Sequence, residues 1–259
     1  MVELIKTREE LSSLLKKTSL AQGLGLVPTM GALHEGHLSL VKLARNYADK
    51  VMVSIYVNPL QFGKGEDFDQ YPRTLETDLE LLEGLADYVW APNYQDIYPS
   101  EPVNIPADSE LANKLCGLSR PGHFDGVCTV VKALFDAVQP QYAILGEKDF
   151  QQLIIIEEMI KHLDIPVKII RAPIMREESG LAMSSRNQYL SEPERKQAAA
   201  IYTNLQAIAN KKLSIEAAIS NLSQNKIKTE YLEVHWGRLF FAGKLGKTRL
   251  IDNIALDFS

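Results

Sequence analysis

The chain has 259 residues and a formal net charge of −5, and 46% of its residues are hydrophobic. This composition is typical of a globular protein with a substantial core, and it excludes both a disordered chain and the strongly basic surface that nucleic-acid binding requires. No apolar stretch approaches the roughly 20 residues that span a bilayer, and no signal-peptide core follows Met1, so we expect a cytoplasmic protein without membrane or nucleic-acid partners.

Five apolar runs predict buried strands, and amphipathic patterns with helical spacing fill most of the gaps between them. These runs are Leu24–Val27, Val51–Val57, Tyr88–Ala91, Tyr142–Leu145 and Val167–Arg171. Continuous apolar strands that alternate with helices predict an α/β fold with a Rossmann-like, doubly wound parallel sheet. Such sheets bind ligands beyond the carboxyl ends of their strands, so we expect the site residues directly after the strands.

The composition changes after the last of these runs. Helices rich in Ala, Gln and Lys come first, followed by the strand-like Tyr231–Val234 and the apolar Arg249–Leu256. This change predicts a Rossmann-like domain over residues 1–176 and a smaller C-terminal α+β domain over residues 177–259, after a hinge near Glu177–Gly180.

Two histidines follow the first strand. Pro28 and Gly31 break the apolar run, and apolar residues recur at helical spacing from Leu38, so His34 and His37 fall at the start of a helix. A helix N-terminus attracts anions, and neutral imidazoles there donate hydrogen bonds to a phosphate. Their spacing differs from the His-Glu-x-x-His pattern of zinc proteases, which argues against a metal. Two capping histidines without chemistry are the alternative.

Two further polar loops follow strands. Lys148 and Asp149 come after the fourth run, where a cation reaches phosphate oxygens and a carboxylate accepts from ribose hydroxyls, although a salt-bridged surface loop fits equally well. Ser184, Ser185 and Arg186 follow the last run and combine two hydroxyls with a guanidinium, which suits phosphate binding. A helix cap at Ser184 is the alternative for that loop.

Gln61 and Gln152 also follow strands, the first in a loop and the second in the first turn of a helix. An amide side chain both donates and accepts but does not ionise, so these residues fit a substrate with hydroxyl and carboxylate groups rather than a proton-transfer role. Either side chain alone is also compatible with a solvated position.

Taken in order along the chain, these segments resemble the pantothenate synthetase (pantoate–β-alanine ligase) family of the HIGH-motif nucleotidyltransferase superfamily. The resemblance is nearly full length, whereas residues 34–37 alone indicate only the superfamily. The segments that carry it are Pro28–Leu40, Tyr56–Phe62, Tyr71–Thr74, Arg120–Val131, Gly146–Leu153, Gly180–Leu190 and Arg249–Asn253. One departure is a shortened segment from His235 to Gly243, which leaves the geometry of the C-terminal domain open.

The resemblance implies a two-step reaction. ATP and pantoate form pantoyl adenylate and pyrophosphate, after which β-alanine attacks and AMP leaves, giving pantothenate for coenzyme A biosynthesis. It also implies that Mg²⁺ is held by the ATP phosphates, that the N-terminal domain forms a homodimer, and that the C-terminal domain acts as a lid that shields the adenylate from water.

The resemblance also implies roles for individual residues. Its ATP contacts fall on Met30, Gly31, Ala32, Leu33, His34, Glu35, Gly36, His37, Gly146, Glu147, Lys148, Asp149, Met175, Met183, Ser184, Ser185 and Arg186. His37 takes the position of the proton donor, with His34 beside it as the second catalytic residue. Gln61 would contact both pantoate and β-alanine, and Gln152 would contact pantoate. Apart from the resemblance, Asp78 lies on a predicted helix after Thr74, and we expect it as an outer-shell partner of Mg²⁺, which has no direct protein ligand.

Two other functions use part of the same sequence. A nucleotidyltransferase that moves AMP or CMP onto a phosphorylated acceptor would share the histidines, but it needs a cationic acceptor pocket, and Gln61 and Gln152 suit a single carboxylate instead. A protein that only senses ATP does not require both histidines together with Lys148 and residues 184–186. Pyrophosphate release that depends on pantoate would distinguish the three.

Overall fold

The structure is a computed structural model that describes residues 2–17 and 23–257, and the chain forms two compact units. The first unit comprises Met1–Glu147 and Gln151–Ala172, and the second comprises Lys148–Phe150 and Pro173–Ser259. Within the two described ranges, no helix is long and apolar enough to cross a membrane.

The change from the first unit to the second falls after Ala172, earlier in the chain than the predicted hinge near Glu177–Gly180. The outer limits of the predicted domains, at residues 1 and 259, lie outside the described residues. The assignment of the first domain to ATP and pantoate and of the second to a lid stays a prediction.

The first unit alternates strands and helices. Its strands are β1 (Glu3–Ile5), β2 (Leu24–Thr29), β3 (Lys50–Ile55), β4 (Tyr88–Trp90), β5 (Tyr142–Gly146) and β6 (Lys168–Ala172). Its helices are α1 (Arg8–Lys17), α2 (Glu35–Ala44), α3 (Leu75–Leu82), α4 (Tyr94–Ile97), α5 (Ser109–Ala112), α6 (Cys116–Ser119), α7 (His123–Val138) and α8 (Phe150–His162), of which Phe150 belongs to the second unit. All strand pairs are parallel, in the order β1-β4-β3-β2-β5-β6, so the predicted doubly wound sheet is confirmed.

The strand order reverses between β2 and β5, because β3 and β4 lie on one side of β2 while β5 and β6 lie on the other. The pairing of β2 with β5 covers only Gly25 and Leu26 of β2. In contrast, β5 stays paired with β6 as far as Gly146, and β2 stays paired with β3 as far as Thr29. The sheet therefore opens between β2 and β5 at its carboxyl edge, which is where α/β sheets bind ligands.

Pro28 does not end the strand, contrary to the sequence prediction, and it pairs in register with Ser54 of β3. The carbonyl of Leu24 accepts a hydrogen bond from Gln141 N, which precedes β5, at 2.9 Å. Since alternate residues of a strand direct their backbone groups to the same neighbour, the nitrogen of Pro28 also lies on the β5 side. Pairing with β5 has ended by that point, so the missing N–H breaks no hydrogen bond.

The start of α2 is held against this sheet by apolar packing. Leu38 and Val41 of the helix share a core cluster with Val27 of β2, Val53 of β3 and Ile144 of β5, and none of these side chains is more than 4% exposed. Burying an aliphatic side chain stabilises a fold by roughly 1.5–3 kcal/mol. The loop between β2 and α2 is thus fixed at both of its ends.

The second unit is a smaller α+β fold, as predicted. Its strands are β7 (Ile227–His235), β8 (Arg238–Leu245) and β9 (Thr248–Ala255), which form an antiparallel sheet in that order, and its helices are α9 (Glu192–Ala198), α10 (Ala200–Ala209) and α11 (Ile215–Gln224). One face of the sheet packs on the helices, with Leu239 and Phe241 of β8 against Ile201, Leu205 and Leu222.

The shortened segment from His235 to Gly243 forms a turn at Trp236 and Gly237 followed by most of β8. That strand is the centre of the small sheet and is in register with both neighbours. The shortening therefore leaves a complete three-stranded sheet. The sequence analysis did not predict β8 as a separate strand.

Gly126 of α7 lies where that helix passes the turn after β3. A Cβ at this position would lie 2.1 Å from the Leu60 carbonyl oxygen and 2.8 Å from Gln61 N. In a helix interior, alanine is normally more favourable than glycine by about 1 kcal/mol. Here, however, the backbone atoms of the turn are too close to accommodate a Cβ unless the turn itself shifts. We expect Gly126→Ala to lower the free energy of unfolding by roughly 1–3 kcal/mol, measured by chemical denaturation.

Asp136→Ala is the control, because Asp136 is exposed on the same helix and its backbone conformation already suits alanine. A Gly126→Ala protein as stable as the Asp136→Ala protein would contradict this packing argument.

Candidate functional site

His34 and His37 lie at the start of α2, as predicted. His34 is the N-cap residue, and its Nδ1 accepts a hydrogen bond from Gly36 N at 3.1 Å. An accepting ring nitrogen carries no proton, so the neutral His34 ring has its N–H at Nε2. The two half-buried rings lie with their centroids 4.1 Å apart. Capping, which was an alternative to a chemical role, thus also sets the tautomer and orientation of His34.

The loop before the histidines has an unusual backbone. Gly31 and Ala32 have φ angles of +79° and +50°, and a left-handed conformation costs an L-residue such as alanine roughly 1–2 kcal/mol. Asp78, from α3, holds this conformation in place. Its Oδ2 accepts from Ala32 N at 3.0 Å and its Oδ1 accepts from Leu33 N at 2.8 Å. Thr74, the N-cap residue of α3, donates to the same carboxylate from its Oγ1 at 3.3 Å.

Asp78 is only 1% exposed. Burial raises the pKa of its carboxyl above the ordinary value, and the hydrogen bonds from Leu33 N and Ala32 N act against that rise. Both carboxylate oxygens accept hydrogen bonds from the loop, so the structure makes Asp78 the residue that positions the loop. Its outer-shell contact with Mg²⁺ stays a prediction. Across residues 2–17 and 23–257, no group of three or more His, Cys, Asp or Glu side chains suits a metal ion.

Gln61 follows β3 and reaches the end of β2. Its Nε2 lies 3.1 Å from the Met30 sulfur, and its Oε1 accepts from Asn58 Nδ2 at 3.4 Å. Asn58 is 1% exposed, donates to the Gly126 carbonyl at 3.0 Å and accepts from the Tyr98 hydroxyl at 3.2 Å. The structure thus brings the residue predicted for pantoate and β-alanine next to the block predicted for ATP.

The main-chain carbonyl of Gln61 is held as firmly as its side chain. It accepts from His123 Nδ1 at 2.8 Å and from the Arg120 guanidinium at 3.2 Å. His123 Nε2 lies 2.8 Å from the same guanidinium, and because arginine only donates, this nitrogen accepts and the ring is neutral. Although burial pushes the pKa of Glu66 upward, its ion pair with Arg120 at 2.6 Å leaves that pKa below its ordinary value.

The two adjacent glutamines of α8 differ in their surroundings. Gln151 is buried, donates to the carbonyls of Leu111 and Lys114 at 2.9 Å and 2.7 Å, and accepts from Cys116 N at 3.1 Å. Its amide therefore anchors the segment that contains α5 and α6. Gln152, the residue predicted to contact pantoate, is half-buried in the first turn of the helix.

In the second unit, Lys148 and Asp149 form a loose ion pair, with the Lys148 ammonium nitrogen 3.8 Å from the Asp149 carboxylate. The Lys148 side chain is the more enclosed of the two, at 21% exposure against 48%. At 3.8 Å and with partial exposure, such a pair contributes little to stability. Breaking the contact with Asp149 would therefore cost Lys148 little free energy.

The loop with the predicted phosphate donors is also in the second unit. Ser184 caps a 3₁₀ turn over Ser185–Tyr189 by accepting from Arg186 N at 3.3 Å. The cap foreseen as an alternative is therefore present, but a hydroxyl that accepts still has its O–H to donate. Before this loop, the Met175 carbonyl accepts from Met183 N at 2.9 Å, which closes a short hairpin whose turn includes Gly180 at a φ of +89°.

The sequence analysis did not assign Asn58 to the site, it gave Arg120 no role beyond a loop within a segment that carries the family resemblance, and it missed the contact of Asp78 with the loop before the histidines. For Asn58 a signal was present, because an Asn-Pro pair directly after an apolar strand marks a turn whose side chain bonds to nearby backbone. The bonds of Asp78 join residues 45 and 46 positions apart in the sequence, so no local pattern indicates them.

The chain is similar to known proteins over almost its full length. A sequence model of the family described as pantoate-beta-alanine ligase matches residues 3–255. The pantothenate synthetase of Syntrophomonas wolfei is 47% identical over 260 residues, covering 91% of this chain and 92% of the relative. The pantothenate synthetase of Acinetobacter baumannii is 45% identical and covers 91% of each chain.

Two solved structures have the same architecture. The pantothenate synthetase of Thermus thermophilus superposes with a TM-score of 0.89 at 39% identity, covering 98% of this chain and 99% of that one. The pantoate-beta-alanine ligase of Francisella tularensis, in complex with beta-gamma ATP and beta-alanine, superposes with a TM-score of 0.92 at 38% identity, covering 98% of each.

Asp78→Asn tests the control of the histidine loop by this carboxylate. An amide has one accepting oxygen, so either Ala32 N or Leu33 N loses its partner, at a cost of about 1–3 kcal/mol for a buried donor. We expect the affinity for ATP, measured by calorimetry, to fall roughly tenfold because the histidines are no longer held in place.

Asp96→Asn is the matched control, because Asp96 is also buried and accepts from two backbone N–H groups, those of Arg8 and Asn93. It should lose stability without losing affinity for ATP. Equal loss of ATP affinity in both variants would refute the positioning role of Asp78.

Proposed function

The chain belongs to the pantoate-beta-alanine ligase family, and we propose that its reaction runs through a pantoyl adenylate formed beside the two histidines at the start of α2. The protein is a ligase that joins pantoate to β-alanine with ATP as co-substrate. In the first step the pantoate carboxylate attacks the α-phosphorus of ATP, and the bond to the bridging oxygen breaks as pyrophosphate leaves. In the second step the amine of β-alanine attacks the acyl carbon, loses a proton and displaces AMP.

The observation that supports this mechanism is the placement of His34 and His37. They lie at a helix N-terminus that follows β2, beside the opening of the sheet at its topological switch point. In-line transfer at phosphorus needs positioning and stabilisation of the developing negative charge more than it needs a strong base. The N–H groups of the two imidazoles and the positive end of the helix dipole supply both. For the proton transfer proposed for His37, its ring acts as the imidazolium, gives its proton to the leaving phosphates and returns to the neutral form.

The acceptor side of the site is built on neutral amides. Gln61 binds the pantoate hydroxyl and carboxylate and later β-alanine, and Gln152 binds pantoate. The support for Gln61 is its fixed geometry: Asn58 and Met30 hold its side chain, and His123 holds its carbonyl. A fixed amide donates and accepts without ionising, which favours an uncharged alcohol with one carboxylate over a phosphorylated acceptor.

The remaining ATP contacts are proposed as the family resemblance implies them. They are Met30, Gly31, Ala32, Leu33, Glu35 and Gly36 in the first unit, with Gly146 and Glu147 of that unit, and Lys148, Asp149, Met175, Met183, Ser184, Ser185 and Arg186 in the second. Mg²⁺ supplies charge neutralisation on the ATP phosphates when it is bound there. Asp78 is proposed as an outer-shell partner of Mg²⁺ only, and the bonds that both of its oxygens accept from the loop backbone support a positioning role over direct coordination.

Three features of the whole protein belong to the same proposal. The protein acts in the cytoplasm, it forms a homodimer through its first unit, and its second unit shields the adenylate from water. All three are supported by membership of the family, because the relatives named above are 45–47% identical to this chain.

A pyrophosphate-release assay with purified protein and MgATP tests the mechanism. We expect no release without pantoate, a burst of about one equivalent with pantoate alone because the adenylate stays bound, and steady turnover with AMP formation once β-alanine is added. Pyrophosphate release that does not depend on pantoate would refute the ligase mechanism. ATP binding without turnover would favour a sensor, and turnover with a phosphorylated acceptor would favour a nucleotidyltransferase.

His37→Ala tests the proton donor. Loss of a general acid typically slows a step by roughly 10²–10⁴-fold, so pantoate-dependent pyrophosphate release should fall by at least 100-fold while the melting temperature stays near that of the wild type. His162→Ala, at an exposed position in the last turn of α8, is the control and should leave the rate unchanged. A His37→Ala protein with wild-type turnover would overturn the role of His37.

A further inference from the structure

Asp252 and Asn253 are adjacent residues of β9, yet both are almost fully buried, at 4% and 1% exposure. Successive residues of a strand point to opposite faces of the sheet. At this position the small sheet is therefore covered on both faces. Each face buries one polar side chain, and such side chains are buried only where they have hydrogen-bond partners.

Asp252 lies on the face that also packs against the helices. Its carboxylate forms a two-pronged ion pair with Arg176, at 2.6 Å and 3.0 Å, and the same guanidinium donates to the Gly180 carbonyl at 3.1 Å and lies 3.7 Å above the Tyr202 ring. Asp252 thus fixes the hairpin that precedes Ser184. Burial raises the pKa of the Asp252 carboxyl, and the nearby charges of Arg176 and Lys148 oppose that rise.

Asn253 points to the opposite face and bonds to the segment that contains Lys148. Its Oδ1 accepts from Arg238 Nε at 2.6 Å, and its Nδ2 donates to the Lys148 carbonyl at 3.0 Å. Because an arginine only donates and a carbonyl only accepts, these two partners leave a single orientation for the amide. The small sheet therefore determines which group donates a hydrogen bond to the Lys148 carbonyl.

Aromatic packing holds the same segment two residues further on. The Arg238 guanidinium lies 4.5 Å above the Phe150 ring, and that ring is 6.0 Å from the ring of Phe240, which pairs in register with Asn253. These contacts explain why Lys148–Phe150 belongs to the second unit although its neighbours in sequence belong to the first.

We propose that Asn253 is a positioning residue for Lys148, and that the Asp252–Asn253 pair fixes two predicted phosphate-binding segments on one strand. Asn253 acts through the Lys148 main chain, and Asp252 acts through Arg176 on the hairpin before Ser184. This inference rests on the proposed contact of Lys148 with ATP. It gives the last segment of the family resemblance, Arg249–Asn253, a function in substrate binding rather than in folding alone.

Asn253→Asp removes the hydrogen bond to the Lys148 carbonyl and also adds a negative charge, whereas Asn253→Ala removes the same bond without adding a charge. The carboxylate keeps the shape of the side chain and the acceptor for Arg238, but it presents an oxygen to the Lys148 carbonyl in place of the N–H. We expect kcat/KM for ATP in pantoate-dependent pyrophosphate release to fall roughly tenfold or more, with the KM for pantoate changed less than about twofold. Asn253→Ala, which removes both bonds, replaces it if Asn253→Asp does not fold.

Asn225→Ala is the matched control, since Asn225 also donates from its side-chain amide to a backbone carbonyl of the second unit, that of Asn221 at 2.9 Å. A purely structural effect would lower the melting temperature of both variants and leave the ATP kinetics of both unchanged. That result would overturn the positioning role of Asn253.

A double-mutant cycle with Lys148→Ala, read out by ATP affinity in calorimetry, separates the inference from the proposal beneath it. If Asn253 acts through Lys148, the uncharged variant Asn253→Ala weakens ATP binding in the wild-type background and has no further effect in the Lys148→Ala background. Equal losses in both backgrounds would show that Asn253 acts elsewhere. Unchanged ATP affinity in Lys148→Ala alone would refute the role of Lys148, and the inference with it.

Discussion

The arrangement of the histidine pair depends on one buried carboxylate. Gly31 and Ala32 leave β2 with positive φ angles, and two backbone N–H groups of this loop end on the oxygens of Asp78. The carboxylate stabilises a backbone conformation that an L-residue otherwise avoids, and it sets the point at which α2 begins. His34 then caps that helix with its own ring, so a carboxylate on α3 determines where the imidazole at the N-terminus of α2 lies. The residue that orders the site is thus one that need not touch the substrate.

The same principle recurs in both units. In the first, Gln61 is fixed by Asn58 through its amide and by His123 through its carbonyl. In the second, Asn253 of β9 bonds to the Lys148 main chain. Each of these proposed substrate contacts is a partly exposed side chain on a loop, and each loop is tied by a buried polar group from a distant element. Preorganisation of this kind lowers the ordering cost when ligands bind, because the loops are already in place.

Patterns in the sequence predict the features that arise from local chemistry. The apolar runs predict five of the six parallel strands of the first unit, and the spacing after Gly31 predicts a helix start at the histidines, which the structure confirms. The prediction that Pro28 ends the strand was wrong, because a proline fits a strand wherever no neighbouring strand lies on its nitrogen side. Whether such a neighbour is present depends on the topology of the sheet. The bonds of Asp78 and Asn253 join residues far apart in sequence, so only the folded chain reveals them. The substrate roles of the site residues come from the family resemblance and stay predictions.

Pro28 also limits how far β2 can pair with β5. If β2 and β5 closed toward each other past Leu26, the growing ladder would reach a residue with no hydrogen to donate. Continuous pairing would close the opening between the two strands, and a proline at this position removes one of the donors that such pairing needs. The covalent sequence thus favours the open arrangement of the carboxyl edge, independently of any bound molecule.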